Sequence, residues 1–157
     1  MALPVDSFSF LPVADMSTGT IFRQREVWHL KSQNVEDDQD IVILLTGPNA
    51  GQWFHVSAFP KMECLALAPG NWRAEFSGID QIKFANAPQL ALGLSSYGTA
   101  VHGQTDVDWT WAGLDGRDHT PVYKAGNFQT WIKAWSVVLV DAKTNSTIPL
   151  FDVAVPE

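Results

Sequence analysis

The feature that most restricts the fold of this chain is an alternation of period two, carried in short segments that glycine and proline cut apart. Trp72, Ala74 and Phe76 alternate with Asn71, Arg73, Glu75 and Ser77, and Ile82 and Phe84 with Gln81 and Lys83. Leu90, Leu92 and Leu94 alternate with Gln89, Ala91, Gly93 and Ser95, while Val107, Trp109 and Trp111 alternate with Asp106, Asp108 and Thr110. A strand sends successive side chains to opposite faces, so each segment reads as half buried and half solvated in an antiparallel sheet. Turn signals such as Gly47-Pro48-Asn49, Pro69-Gly70-Asn71, Asn86-Ala87-Pro88 and Gly126-Asn127 punctuate the chain. Their spacing, mostly about 8–12 residues, is that of a sandwich or jelly roll. The pattern predicts an all-β chain, an antiparallel β-sandwich or jelly roll with a single domain over residues 21–157. Residues 1–20 form an N-terminal arm or a first strand in this reading.

Two segments, Ile41 to Leu45 and Trp53 to Phe59, are apolar on both faces. They read as central strands, or as strands covered by a neighbouring subunit. Residues 127–141 carry two signals. Phe128, Trp131, Ile132 and Trp135 fit helical spacing, whereas Val137 to Val140 is strand-like. The β-rich composition and the preceding Gly126 favour one long strand. Ile148 to Val155 reads as a last edge strand, because Pro149 removes a ladder donor.

With 157 residues, 46% hydrophobic and 17% charged, the chain has enough apolar surface for one core. The net charge of −7 argues against a nucleic-acid groove or a basic membrane-binding face. No apolar run approaches the roughly 20 residues that span a bilayer. The start, Met1 to Asp6, lacks the basic and apolar stretches of a secretion signal. A single cysteine, Cys64, excludes an internal disulfide framework and a multi-cysteine metal site. These features lead us to expect a cytoplasmic chain with no cofactor, no nucleic-acid partner and no membrane.

The segment Leu45 to Trp53 superficially resembles a phosphate-binding loop, but Gln52 and Trp53 stand where lysine and a hydroxyl are needed. It reads as a plain turn. Glu36, Asp37, Asp38 and Asp40 read as a solvated loop. Asp106, Asp108, Asp115 and Asp118 form a second acidic group near His102 and His119. Asp106 and Asp108, two apart on a strand, project to one face and are candidate calcium ligands, although the helix–loop–helix calcium pattern fails at Trp111 and Arg117. Paired carboxylates also raise acid-catalysed hydrolysis, with Asp108 and Asp115 as its test residues. The bland alternative is a polar loop, and we expect no enzyme. The four histidines lack metal spacing and read as residues satisfied by a neighbour. Cys64 reads as a buried small hydrophobe. Ser95-Ser96 does not form a nucleophile elbow.

Seven tryptophans remain. Tryptophan is at home in a core, at a subunit seam, or as a platform under a sugar ring. Trp53, Phe54, Trp131 and Trp135 are the candidate interface residues, and the two-sided apolar strands likewise favour a homo-oligomer. The alternative is a carbohydrate-binding module with Trp109 and Trp111 as the platform and Asp106, Asp108, Asp115 and His119 as polar contacts.

The stretch Leu65-Ala66-Leu67-Ala68-Pro69-Gly70-Asn71-Trp72-Arg73-Ala74-Glu75-Phe76 resembles a strand start of bacteriophage virion β-sandwich proteins, jelly rolls broadly similar to the trimeric C1q/TNF class. Gly126-Asn127-Phe128 matches the later glycine turn that feeds a Phe-containing strand. The resemblance spans roughly residues 60–141 and implies a capsid-decoration, tail or fibre component, a homotrimer that meets other virion proteins and surface glycans. It carries over no catalytic residue.

Overall fold

The computed structural model describes residues 3–34, 39–59, 61–96, 98–105, 109–114 and 128–156. Among these the chain is all-β, with fourteen strands numbered in chain order and no helix beyond single short turns. One sheet runs β1 (Ser9–Pro12), β6 (Glu63–Leu67), β2 (Thr20–Gln24), β3 (Val27–Gln33), β4 (Asp40–Leu44), β5 (Trp53–His55). A second runs β11 (Trp109–Gly113), β10 (Gly98–Gln104), β9 (Leu92–Ser95), β12 (Thr130–Ile132), β8 (Ile82–Phe84). The third holds β14 (Thr147–Val153), β13 (Trp135–Val140) and β7 (Trp72–Glu75). Every strand pair is antiparallel.

The six-stranded sheet forms one layer of a sandwich, and the two smaller sheets together form the other. Ile21, Leu30, Ile41, Ile43 and Leu67 from the large sheet pack with Leu92, Val101 and Ile132 from the second and Trp135, Val137 and Leu139 from the third. The layers also join through polar groups at one corner. Asn34, just past β3, bridges to Ala112 of β11. Thr110 Oγ1 donates to Asn34 Oδ1 at 2.6 Å, and the Ser32 hydroxyl donates to the Gly113 carbonyl. All three side chains are buried, so these bonds satisfy groups that desolvation would otherwise penalise. Thr110 is therefore not the solvated half of its strand, as alternation predicted.

The large sheet is apolar on its outer face too. Phe22, Val42, Cys64 and Ala66 point there and are covered by Val13 and Met16 from the N-terminal segment, with Leu11, Val56 and Phe59 at the edges. Cys64 is the buried small hydrophobe expected, its thiol pKa raised by desolvation. Lys31 holds this cover in place. Its ammonium donates to the carbonyls of Val13 at 2.9 Å, Ala14 at 3.3 Å and Met16 at 2.6 Å, and the residue is 3% exposed. All three ammonium donors are thus used to fasten the arm, while the aliphatic stem lies in the apolar layer.

β4 is the central strand expected, buried on both faces by residues of its own chain, while two other expectations change. Trp53 to Phe59 is not a central strand: β5 ends at His55 on the sheet edge, and a single 3₁₀ turn, Val56–Ala58, follows. The run 127–141 is strand-like where described, yet Lys133 and Ala134 divide it into β12 and β13, which belong to different sheets. β14 is the expected edge strand. Its register with β13 shifts between Val137, opposite Phe151, and Val138, opposite Pro149, so Leu150 is the extra residue of the irregularity.

Replacing Lys31 by Met removes the donors to three carbonyls while keeping the apolar stem. Chemical denaturation is expected to show a loss of about 1–3 kcal/mol, and limited proteolysis should cut the first 19 residues faster than in the parent.

Candidate functional site

The six tryptophans whose side chains are described, Trp28, Trp53, Trp72, Trp111, Trp131 and Trp135, are all buried within one copy of the chain. Trp72 Nε1 donates to the Gly19 carbonyl at 2.8 Å, Trp131 Nε1 to Ala85 at 3.1 Å and Trp135 Nε1 to Leu90 at 2.9 Å. Trp28 stacks on Phe151 at 5.1 Å, with the Arg23 guanidinium 5.3 Å from its ring. Trp53 differs, since its buried indole N–H has no hydrogen-bond partner. Trp53, Trp131 and Trp135 thus serve the core, which removes them as interface residues. Of that group only Phe54, 40% exposed on the edge strand β5, faces solvent.

The proposed sugar platform is also changed by packing. Trp111 is 2% exposed, with His102 stacked on it at 4.7 Å and Phe128 tilted against it at 4.5 Å. Gly93 makes this possible, because a Cβ there would stand 2.6 Å from both Trp111 and Phe128. Trp111 therefore offers no open face to a ligand. Trp109 lies in β11 opposite Gln104, but its side chain is outside the described residues, as are Asp106, Asp108, Asp115, Asp118 and His119. The calcium pair and the carboxylates of the hydrolase reading fall there too. Among the described residues no group of three or more His, Cys, Asp or Glu is placed to hold a metal. The loop at Gly47 to Gly51 is the plain turn expected: Ala50 N–H donates to the Gly47 carbonyl and Gln52 N–H to Asn49, so these amides close the loop on itself.

What the structure exposes instead is aliphatic and phenyl surface at two sheet edges. On the outer edge of the second sheet, Phe84 of β8 is 79% exposed, with Ile79 at 85% and Phe76 at 42% in the connection from β7. Beside them the outer layer splits between the second and third sheets. A cleft of about 390 Å³ opens there, lined by Trp72, Ala74, Phe76, Leu92, Leu94 and Ile132. At the outer edge of the large sheet, Phe10 of β1 is 63% exposed, and Val5 precedes it at 84%. Alternation had placed Phe84 with Ile82 on a buried face. β8 is three residues long and paired on one side only, so its last side chain runs past the sheet that would cover it.

A second constellation sits on the outer face of the large sheet. His29 stacks on Phe22 at 4.7 Å, meets Phe59 edge-on at 5.6 Å, and its Nδ1 lies 2.8 Å from the Val27 carbonyl. Burial lowers its pKa to about 4, against smaller opposing effects of backbone hydrogen bonds. Lys31, two residues along the same face, and Arg25, at the mouth of the adjoining cleft, are both cations and offer the imidazolium no counter-charge. His102 is shifted downward for the same reason, desolvation against Trp111.

No family model, curated protein or solved structure matches this chain. Among the described residues, no helix is long and apolar enough to cross a membrane.

The depressed histidines make stability depend on pH in a definite direction. Unfolded chains take up protons on His29 near 6.5, whereas the folded protein does so only near 4. Between those values the unfolded state holds more protons, so stability falls with acidification and His29 costs nothing further below about 4. Denaturation followed from pH 7 to pH 4 is expected to show a His29 contribution of about 3 kcal/mol, absent from a His29→Phe variant.

Proposed function

We propose that this protein is a non-enzymatic assembly unit, a β-sandwich that associates with further copies of itself through its two apolar edges. The observation that carries the reading is the exposure of Ile79 and Phe84 at one edge and of Val5 and Phe10 at another. Keeping such apolar surface in water costs free energy. Burying each of these side chains contributes roughly 1.5–3 kcal/mol.

Two unlike patches favour a cyclic arrangement. A two-fold dimer uses one self-complementary patch, whereas a ring of three joins two different patches head to tail. A homotrimer is accordingly the form we propose, with the β1 edge of one copy meeting the β8 edge of the next. The likeness of Leu65 to Phe76 to phage virion sandwiches supports placing this unit on a virus particle, assembled in the host cytoplasm, as a capsid-decoration, tail or fibre component.

Native mass spectrometry and light scattering of the purified chain test the reading. The parent is expected as a trimer, and Phe10→Asp and Phe84→Asp are each expected as monomers with unchanged circular dichroism. Mixed together, those two variants should form a one-to-one complex, because each retains the patch the other lacks. A parent that stays monomeric at high concentration, or variants that remain trimeric, overturns the proposal.

A further inference from the structure

We infer that the cleft beside the β2–β3 turn is a binding site for an acidic sugar, a pyranose ring that carries a carboxylate. The cleft shares no residue with the two apolar edges and holds about 400 Å³, within the roughly 300–1,000 Å³ of small-ligand pockets.

The turn itself is the first reason. Gln24 pairs with Val27, so Arg25 and Glu26 form a two-residue hairpin loop, and their φ angles are +51° and +63°. Such a loop favours Asn-Gly, because an ordinary L residue is strained in the left-handed region. Strain of this kind gathers where a ligand is held. Here it sets Arg25 at the lip of the cleft.

The lining is the second reason. Phe54 and Phe59 meet at 75° with centroids 6.4 Å apart, forming a corner against which the apolar face of a sugar ring can lie. Phe54 keeps enough exposure to receive it. Asn49 and Gln24 also line the cleft and supply neutral amide groups for hydroxyls. Among the described lining residues Arg25 carries the only formal charge at neutral pH, and a guanidinium can grip a carboxylate with two parallel hydrogen bonds. A plain aromatic acid would use the phenyl corner and the guanidinium but would leave the two amides without hydroxyls to meet. The sugar uses all of them.

Calorimetric titration and saturation-transfer NMR with methyl β-D-glucuronide, methyl β-D-glucoside and benzoate decide the matter. The glucuronide is expected to bind, with the glucoside and benzoate each weaker by about tenfold or more. Arg25→Asn suits the positive φ better than arginine, so its thermal midpoint should hold or rise while its affinity for the glucuronide falls about tenfold. Phe54→Ala should lose the sugar-ring signals. Absence of glucuronide binding overturns the proposal, as does a glucoside or benzoate that binds equally well, or an Arg25→Asn variant that binds like the parent.

Discussion

The constraint on which the rest of the structure depends is that its largest sheet is apolar on both faces. Ile41 and Ile43 point into the sandwich while Val42 points out of it, and neighbouring strands repeat the arrangement. A sheet of this kind needs two covers. The two smaller sheets supply the inner one. The outer one is improvised from the first turns of the chain and from the segment after β5, and it is fastened by a lysine whose ammonium meets only backbone carbonyls in the bonds it makes. The N-terminal segment is thus part of the fold and not a tether hung from it.

That solution bears on where the proposed self-association falls. Had the second face of the large sheet been left open, Phe22, Val42, Cys64 and Ala66 would have formed a natural seam with another copy. That face is closed and the six described indoles are buried as well, three with their N–H groups on backbone carbonyls, so that among the described residues the exposed large apolar surface includes phenyl and aliphatic groups at sheet edges. Edges combine apolar area with unpaired backbone groups, which makes them the most adhesive part of a β protein.

The sequence made the architecture readable because alternation and turn spacing are local properties. β7, β9, β11 and the edge strand β14 lie where period two and Pro149 placed them. It was less informative where the third dimension decides. Trp131 and Trp135, four residues apart, were placed on one continuous strand, yet the bend at Lys133 and Ala134 sends them to different sheets. Trp53 to Phe59 is apolar at nearly every position because Phe59 folds back over the outer face, a use of hydrophobicity that periodicity cannot distinguish from a buried strand. The exposed Phe84 was hidden by the same logic, since an alternating pattern does not reveal where a sheet stops. The polar corner of Ser32, Asn34 and Thr110 carried no local signal at all, its partners being more than seventy positions apart.

The irregular pairing of β14 at Pro149 has a consequence for anything built from many copies. A ring proline offers no amide hydrogen, and the register shift beside it disrupts the regular row of donors and acceptors that a further strand would need. That flank of the third sheet is therefore a poor template for a further strand, a safeguard against open-ended strand addition written into the chain by one imino acid.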